Sequence, residues 1–325
     1  MNIVSLFDGI SCARVALSRV GIHVDNYYAS EIEHKAISIS LNNFKDIKHV
    51  GGVQNFNKAN FPHVFLSKVD LLIGGSPCQD LSIANTNRKG LEGSRSGLFW
   101  EYVRVLNELK PKYFILENVY SMSKESRDTI TKALKVEPIM IDAALVSGQL
   151  RKRLFWTNIP GVKLPLDRNI LLKDIIESGF VDRDKSYCID ACYYKGGNLK
   201  NYIEKGRRQL VFVDCEYPYA IVPEATKKGY AVAELGDSVD VSFLNSKTRR
   251  GRVGKKAKNL MTANTIGVVT KKGVRLLTPV ECERLQGLED NYTDGVSNLQ
   301  RYKAIGNAFN VDVVAHILSF IPKNK

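Results

Sequence analysis

From Met1 to about Pro160 short apolar runs alternate with segments of helical period, and this alternation restricts the available folds more than any other feature of the chain. "NIVSLF" reads as a strand, and "CARVALSRV" reads as a helix that stops at Gly21, a residue type suited to a helix C-terminus. "VDNYYAS" is the next strand, followed by a helix through "EHKAISISLNNF". "IKHV" and "VDLLIGG" supply a third and a fourth strand. In "GLFWEYVRVLNEL" the residues Leu98, Phe99, Tyr102, Val105, Leu106 and Leu109 share one helical face, and "YFILENV" follows as a buried strand. "PIMIDAALV" and "RLFWTNI" complete the series. Such a chain is expected to form an α/β fold whose mostly parallel sheet is covered on both faces.

The alternation lapses from Pro160 to about Val274, where glycines, tyrosines, lysines and short pieces such as "QLVFVD" predict a second, smaller domain of mixed or β character. Order returns at "RLLTPVECERLQGL", in which Thr278, Pro279 and Glu281 make a capping box with proline in the first turn. A last helix, "NVDVVAHILSFI", carries Val313, Val314, Ile317, Leu318 and Ile321 toward the core. The expected division is therefore 1–159, 160–274 and a returning segment 275–325.

With 44% hydrophobic and 25% charged residues in 325, disordered and collagen-like classes are excluded. A net charge of +13 favours a polyanionic partner, and the run "KTRRGRVGKKAK" from Lys247 to Lys258 concentrates seven basic residues without an acid. Six cysteines in so long a chain suit a reducing compartment rather than a disulfide framework. "MNIVSLF" enters a strand at once, and no window holds about 18 apolar residues in succession. A cytoplasmic protein without secretory signal or membrane span is expected.

In an open parallel sheet, ligands bind beyond the carboxyl ends of the strands. Phe7, Asp8, Gly9 and Ile10 follow the first strand, where a helix begins and its N–H groups are free. Glu31 follows the second strand, 22 residues after Gly9, about the spacing at which an acid meets ribose hydroxyls. Cys78 follows the fourth strand, and Glu117 and Asn118 end the fifth. "FDGIS" by itself lacks a full G-x-G-x-x-G, and Cys78 by itself reads as a small buried hydrophobe sooner than as an attacking thiolate, since structural thiols far outnumber catalytic ones. A carboxylate ending a buried strand is costly unless it is used or paired.

Six blocks in order, "SLFDGIS", "GGSPCQDLS", "FILENV", "GQLRKRLF", "RLLTPVECERLQGL" and "AIGNAF", give the chain a resemblance to the DNA (cytosine-5) methyltransferases over nearly its full length. The wording of "SLFDGI" and "RKGLEGSRSGLFWEY" is closest to the de novo branch, which phage and bacterial members approach. The resemblance implies a doubly wound sheet of the S-adenosyl-L-methionine enzymes, with residues 160–274 as the target-recognition domain. It implies that Cys78 adds to cytosine C6, that Glu117 contacts N3 with Asn118 holding its orientation, and that Arg153 holds O2. Gln79 then contacts the DNA or steadies the nucleophile turn. Phe7 would stack on adenine, Gly9 permit close approach, Glu31 bind the ribose, Leu98 pack near the adenine and Asn307 complete the pocket, with Asp8 and Ile10 in the same turn. A metal site is not implied; Cys188, Cys192 and Cys215 are surplus thiols on this reading.

Duplex DNA is the implied partner of a catalytically monomeric enzyme, which must flip its target base out of the stack. Arg88 and Lys89, in a polar loop from Asp80 to Gly97, and Lys247, Arg249, Arg250 and Arg252 are placed on phosphates. Arg151 is either another such contact or a support of its own loop. Ser11 stands where the family often has glycine and Gly52 where it usually has an acid, so two outcomes stay open, weaker cofactor affinity or compensation by backbone groups. "QGLED" also replaces the usual aromatic-proline ending of its block. Two other functions compete: the same chemistry on transfer RNA, and a DNA-binding paralogue without catalysis, against which intact Cys78, Glu117 and Arg153 speak. A thiol redox protein would need a Cys-x-x-Cys pair that Cys78 lacks.

Overall fold

The computed structural model describes residues 1–77, 97–196, 202, 205–214, 219–227, 229–234, 236–240, 251–255, 266–268 and 272–322. By its internal contacts the chain forms two compact units, one of Met1–Ile176, Arg183–Gln209 and Leu277–Lys325, the other of Glu177–Asp182 and Leu210–Leu276.

The first unit is built on seven strands: β1 (Asn2–Leu6), β2 (Asn26–Ser30), β3 (Lys48–His49), β4 (Leu71–Gly74), β5 (Tyr113–Val119), β6 (Ile139–Asp142) and β7 (Lys152–Thr157). Their order is β3-β2-β1-β4-β5-β7-β6. Five strands run parallel from β3 to β5, whereas β7 is antiparallel to both β5 and β6. The reason is local, because the connection 143–151 is a single 3-10 turn, Ala143–Leu145, and a few loop residues. A parallel return needs a crossover of about a dozen residues or more.

Eight described helices accompany the sheet: α1 (Cys12–Arg19), α2 (His34–Asn43), α3 (Pro62–Phe65), α4 (Leu98–Leu109), α5 (Lys124–Leu134), α6 (Pro279–Leu285), α7 (Asn298–Asn307) and α8 (Val311–Leu318). Successive residues of a strand point to opposite faces. Ile3, Leu71 and Ile73 accordingly join Ala13 and Leu17 of α1 and Val314 and Ile317 of α8 in one core. Val4, Leu6 and Leu72 join Phe99, Tyr102 and Val105 of α4 in the other. The sheet is therefore buried on both faces and doubly wound, as the sequence predicted.

The segment between α6 and α7 is pinned by buried charge. Glu283, fully buried, accepts from the backbone N–H of Asn291 and of Thr293, from the Thr293 hydroxyl and from Arg301 at 2.9 Å. The expected capping box forms, with Thr278 accepting from the N–H of Glu281 and the Glu281 side chain accepting from that of Thr278.

The second unit holds small antiparallel pairings: β8 (Leu210–Asp214) with β14 (Lys272–Leu276), β9 (Tyr219–Pro223) with β10 (Tyr230–Glu234), and β11 (Ser238–Asp240) between β12 (Arg252–Gly254) and β13 (Ile266–Val268). Val222 and Ala233 are buried there, against Val239 and Val253.

Candidate active site

The carboxyl ends of β1, β2, β4 and β5 open onto one cavity of about 320 Å³. That volume lies within the range of small-molecule sites. Its first wall is the β1–α1 turn, contributing Phe7, Gly9 and Ile10, with Gly9 at φ +60°. Glu31, past β2, closes the adjoining side. Its Oε2 accepts from the N–H of Gly9 at 2.9 Å, and its Oε1 from those of Ile32 and Glu33 at 2.7 and 2.8 Å. A carboxylate offers about four acceptor positions. Three are filled by backbone, leaving room on Oε2 for a ligand hydroxyl. Leu98 and Asn307 line the cavity as expected, Leu98 from the start of α4 and Asn307 from the end of α7.

The opposite wall is where β5 and β7 pair. Glu117 and Arg153 reach it from neighbouring strands, and Arg153 Nε lies 2.8 Å from Glu117 Oε1, each side chain retaining a small exposed fraction. Gly75, at the exit of β4, makes this junction possible. A Cβ there would lie 2.8 Å from the Phe309 ring and 3.3 Å from Glu117 Oε2. Asn118 does not orient Glu117 through any described bond. Its Nδ2 donates to the carbonyl and hydroxyl of Ser76, both at 3.2 Å, and its Oδ1 accepts from the N–H of Val119 at 2.8 Å. It thus ties the end of β5 to the turn that leads into Cys78.

Two expected contacts are placed elsewhere. Asp8 is buried beneath its turn, where it accepts from the Ser11 hydroxyl at 2.5 Å and the Tyr27 hydroxyl at 2.6 Å and does not line the cavity. Burial raises its pKa, against the hydrogen bonds that favour the charged form. Arg151 lines the cavity but is buried, and it is not a phosphate contact. Its guanidinium donates to the carbonyls of Ile189 (3.0 Å), Gly306 (3.2 Å) and Ala308 (2.8 Å) and lies 3.4 Å from Cys188 Sγ, with burial lowering its pKa. It fastens the entry of β7 to the end of α7 and the residue that follows that helix. Cys78, Gln79, Arg88, Lys89, Lys247, Arg249 and Arg250 lie outside the described residues. Arg252 is exposed on β12 of the second unit.

Sequence reasoning did not single out Ser30, Ile32, Val53, Gln54 or Lys303, which also line the cavity. Ser30 and Ile32 flank Glu31 and carried the same positional signal. Lys303 had none, since its ion pair with Glu33 at 2.5 Å joins α7 to the start of α2 across the chain. Among the described residues no cluster of His, Cys, Asp and Glu suits a metal, and no helix is long and apolar enough to cross a membrane.

A seven-stranded sheet with an antiparallel seventh strand and a cavity over its carboxyl edge defines a methyltransferase-type α/β protein. Solved structures share this fold: the Entamoeba histolytica methyltransferase EhMeth (TM-score 0.66, 14% identity, 99% of this chain and 97% of that one) and a Spodoptera frugiperda DNMT2 mutant (TM-score 0.61, 16% identity, 98% and 99%). The profile of C-5 cytosine-specific DNA methylases matches residues 1–323, and the chain belongs to that family. Among curated relatives, the orphan methyltransferase M.SPRI of Bacillus phage SPR is 26% identical, covering 98% of this chain and 96% of its own length. The type II methyltransferase M.HpaII of Haemophilus parainfluenzae is also 26% identical, over 96% and 86%. M.Rho11sI of Bacillus phage rho11s is 37% identical over 75% of this chain and half of its own. The protein is a DNA cytosine-5 methyltransferase and uses a methyl donor of the S-adenosylmethionine type.

Proposed function

We propose that this enzyme methylates C5 of a cytosine flipped out of duplex DNA, acting as a cytoplasmic monomer, through a transient bond between Cys78 and C6. The observation that carries the reading is the Glu117–Arg153 pair on the wall of the same cavity that holds the Phe7–Ile10 turn and Glu31. S-adenosylmethionine, when bound, supplies an electrophilic methyl group. The turn fits its adenosyl part, with an apolar wall from Phe7, Ile10 and Leu98 and a carboxylate acceptor in Glu31 for ribose hydroxyls.

Cytosine C5 is a weak nucleophile. Addition of the Cys78 thiolate to C6 places the electron pair on C5, and Glu117 shares a proton with N3 as that addition proceeds. Arg153 holds O2. Because Arg153 and Glu117 bond each other here, the base must enter between them and take over one face of each. After methylation the C5 proton leaves, with water as its acceptor, the C6–S bond breaks to release the thiolate, and N3 gives its proton back to Glu117. Arg88, Lys89, Lys247, Arg249, Arg250 and Arg252 hold DNA phosphates, and residues 160–274 carry target recognition. The test is labelled methyl transfer to duplex DNA and to RNA, followed by bisulfite mapping. Methylcytosine at defined positions of DNA alone is expected; transfer to RNA alone would overturn the assignment of duplex DNA.

A further inference from the structure

The turn beneath the cavity puts alternate residues in the left-handed region: Phe7 at φ +56°, Gly9 at +60° and Ser11 at +62°. Glycine adopts this region freely, but phenylalanine and serine do so only when their surroundings hold them. Ser11 is fully buried and, although it precedes α1, its side chain makes no capping bond to the helix. Its hydroxyl donates to Asp8 Oδ2 at 2.5 Å and lies 2.6 Å from the Ser40 hydroxyl. A serine hydroxyl has one proton. With that proton on the Asp8 carboxylate, the Ser40 hydroxyl must donate to Ser11. Ser40 Oγ in turn lies 3.3 Å from His49 Nε2, and Tyr27 donates to the other Asp8 oxygen. Tyr27 of β2 and Ser11 thus hold the two oxygens of one carboxylate, and Ser40 of α2, next to His49 of β3, backs Ser11.

We propose that Ser11 is a positioning residue, whose hydroxyl, backed by Ser40, locks Asp8 and thereby holds Phe7, Gly9 and Ile10 in the conformation that receives the methyl donor. The proposal rests on the reading of this cavity as the S-adenosylmethionine site. Glycine would meet φ +62° without strain, so what serine adds here is its hydroxyl. The proposal runs opposite to the sequence reading in which Ser11 weakens cofactor binding.

Ser11→Gly deletes that hydroxyl and keeps the backbone conformation accessible. Calorimetric titration with S-adenosylhomocysteine comes first on the unaltered enzyme, and absence of binding there overturns the donor-site reading and the proposal with it. Given binding, S11G is expected to weaken it roughly tenfold and to raise the KM for the donor in parallel, as loss of a charge-assisted bond predicts. The kcat at saturating donor and the KM for DNA should stay within about twofold, because Ser11 touches neither substrate. Ser40→Ala, which removes only the backing, should weaken binding by roughly threefold. Unaltered affinity in S11G, or a lower melting temperature with unaltered affinity in the folded fraction, overturns the proposal. Should S11G fail to fold, S40A decides, and wild-type affinity in S40A counts as refutation.

Discussion

At Gly306 a single methyl group would run into main chain: a Cβ there would lie 2.3 to 2.5 Å from the backbone of Asp190 and Ala191. Backbone cannot step aside as a flexible side chain can, so Gly306→Ala should lower stability by about 1–3 kcal/mol or more, read as a shift in urea midpoint. The same variant should disturb the cavity, since Gly306 and Asn307 line it. At Glu117 the expectation is different. Glu117→Gln removes the proton-sharing group but leaves the donor side intact, so kcat should fall on the order of a hundredfold or more while S-adenosylhomocysteine affinity changes little. Single-turnover kinetics beside calorimetry separates the two effects. Glu117 was legible in sequence because a carboxylate in a buried strand demands a partner. Arg151 was legible only in part: support of its own loop was one of its two readings, but in "LRKRLF" three basic residues look alike, and only the turn of the backbone decides that Arg151 goes inward while Lys152 is exposed.

Helices show a similar division between what pattern reveals and what packing decides. The face of α4 was readable because its apolar residues recur at helical spacing, and Phe99, Tyr102, Val105 and Leu109 are all buried. α5 escaped notice, its buried stripe being only Ser126, Ile130 and Leu134 in a largely polar segment. Its start was nevertheless signalled by Ser123, which accepts from the N–H of Ser126, just as Ser297 starts α7 by accepting from that of Gln300. Between α6 and α7 the Glu283–Arg301 pair is nearly withdrawn from water, with side chains 0% and 10% exposed. Arg301→Ala leaves that carboxylate buried without its cation and should cost about 3–5 kcal/mol in chemical denaturation. On β3, burial lowers the pKa of His49 below its ordinary 6.5, with Asp8 and Glu31 opposing that shift. The native protein therefore binds this proton less readily than the unfolded chain does, and stability is lost as pH falls through 6.5 toward the lower native value. Denaturation midpoints at pH 7.5 and 5.5 should differ less in His49→Gln than in the unaltered protein; an equal difference would discount His49 as a source of the acid sensitivity.

For the molecule as a whole, alternating strands and helices were enough to infer a mostly parallel sheet, because each pattern has its own period and each face of the sheet needs cover. The reversed direction of β7 was not inferred, since the apolar run of a buried strand has no polarity. Nor did the irregular text after Pro160 disclose that Lys185 donates to the carbonyls of Ala144, Ser147 and Ile170, fixing that stretch to the loop before β7. A net charge of +13 makes DNA binding salt-sensitive, so the KM for DNA should rise steeply with ionic strength. Arg252→Ala should reduce the log–log slope by about one if that exposed arginine holds a phosphate. The most direct measurement concerns the bond between sulfur and pyrimidine. Duplex DNA bearing 5-fluorocytosine, which cannot release the C5 substituent, is incubated with the enzyme and S-adenosylmethionine, and the adduct is mapped by peptide mass spectrometry. The account predicts a stable adduct on Cys78 that Cys78→Ala does not form; an adduct on another residue, or one that the alanine variant forms equally well, contradicts it.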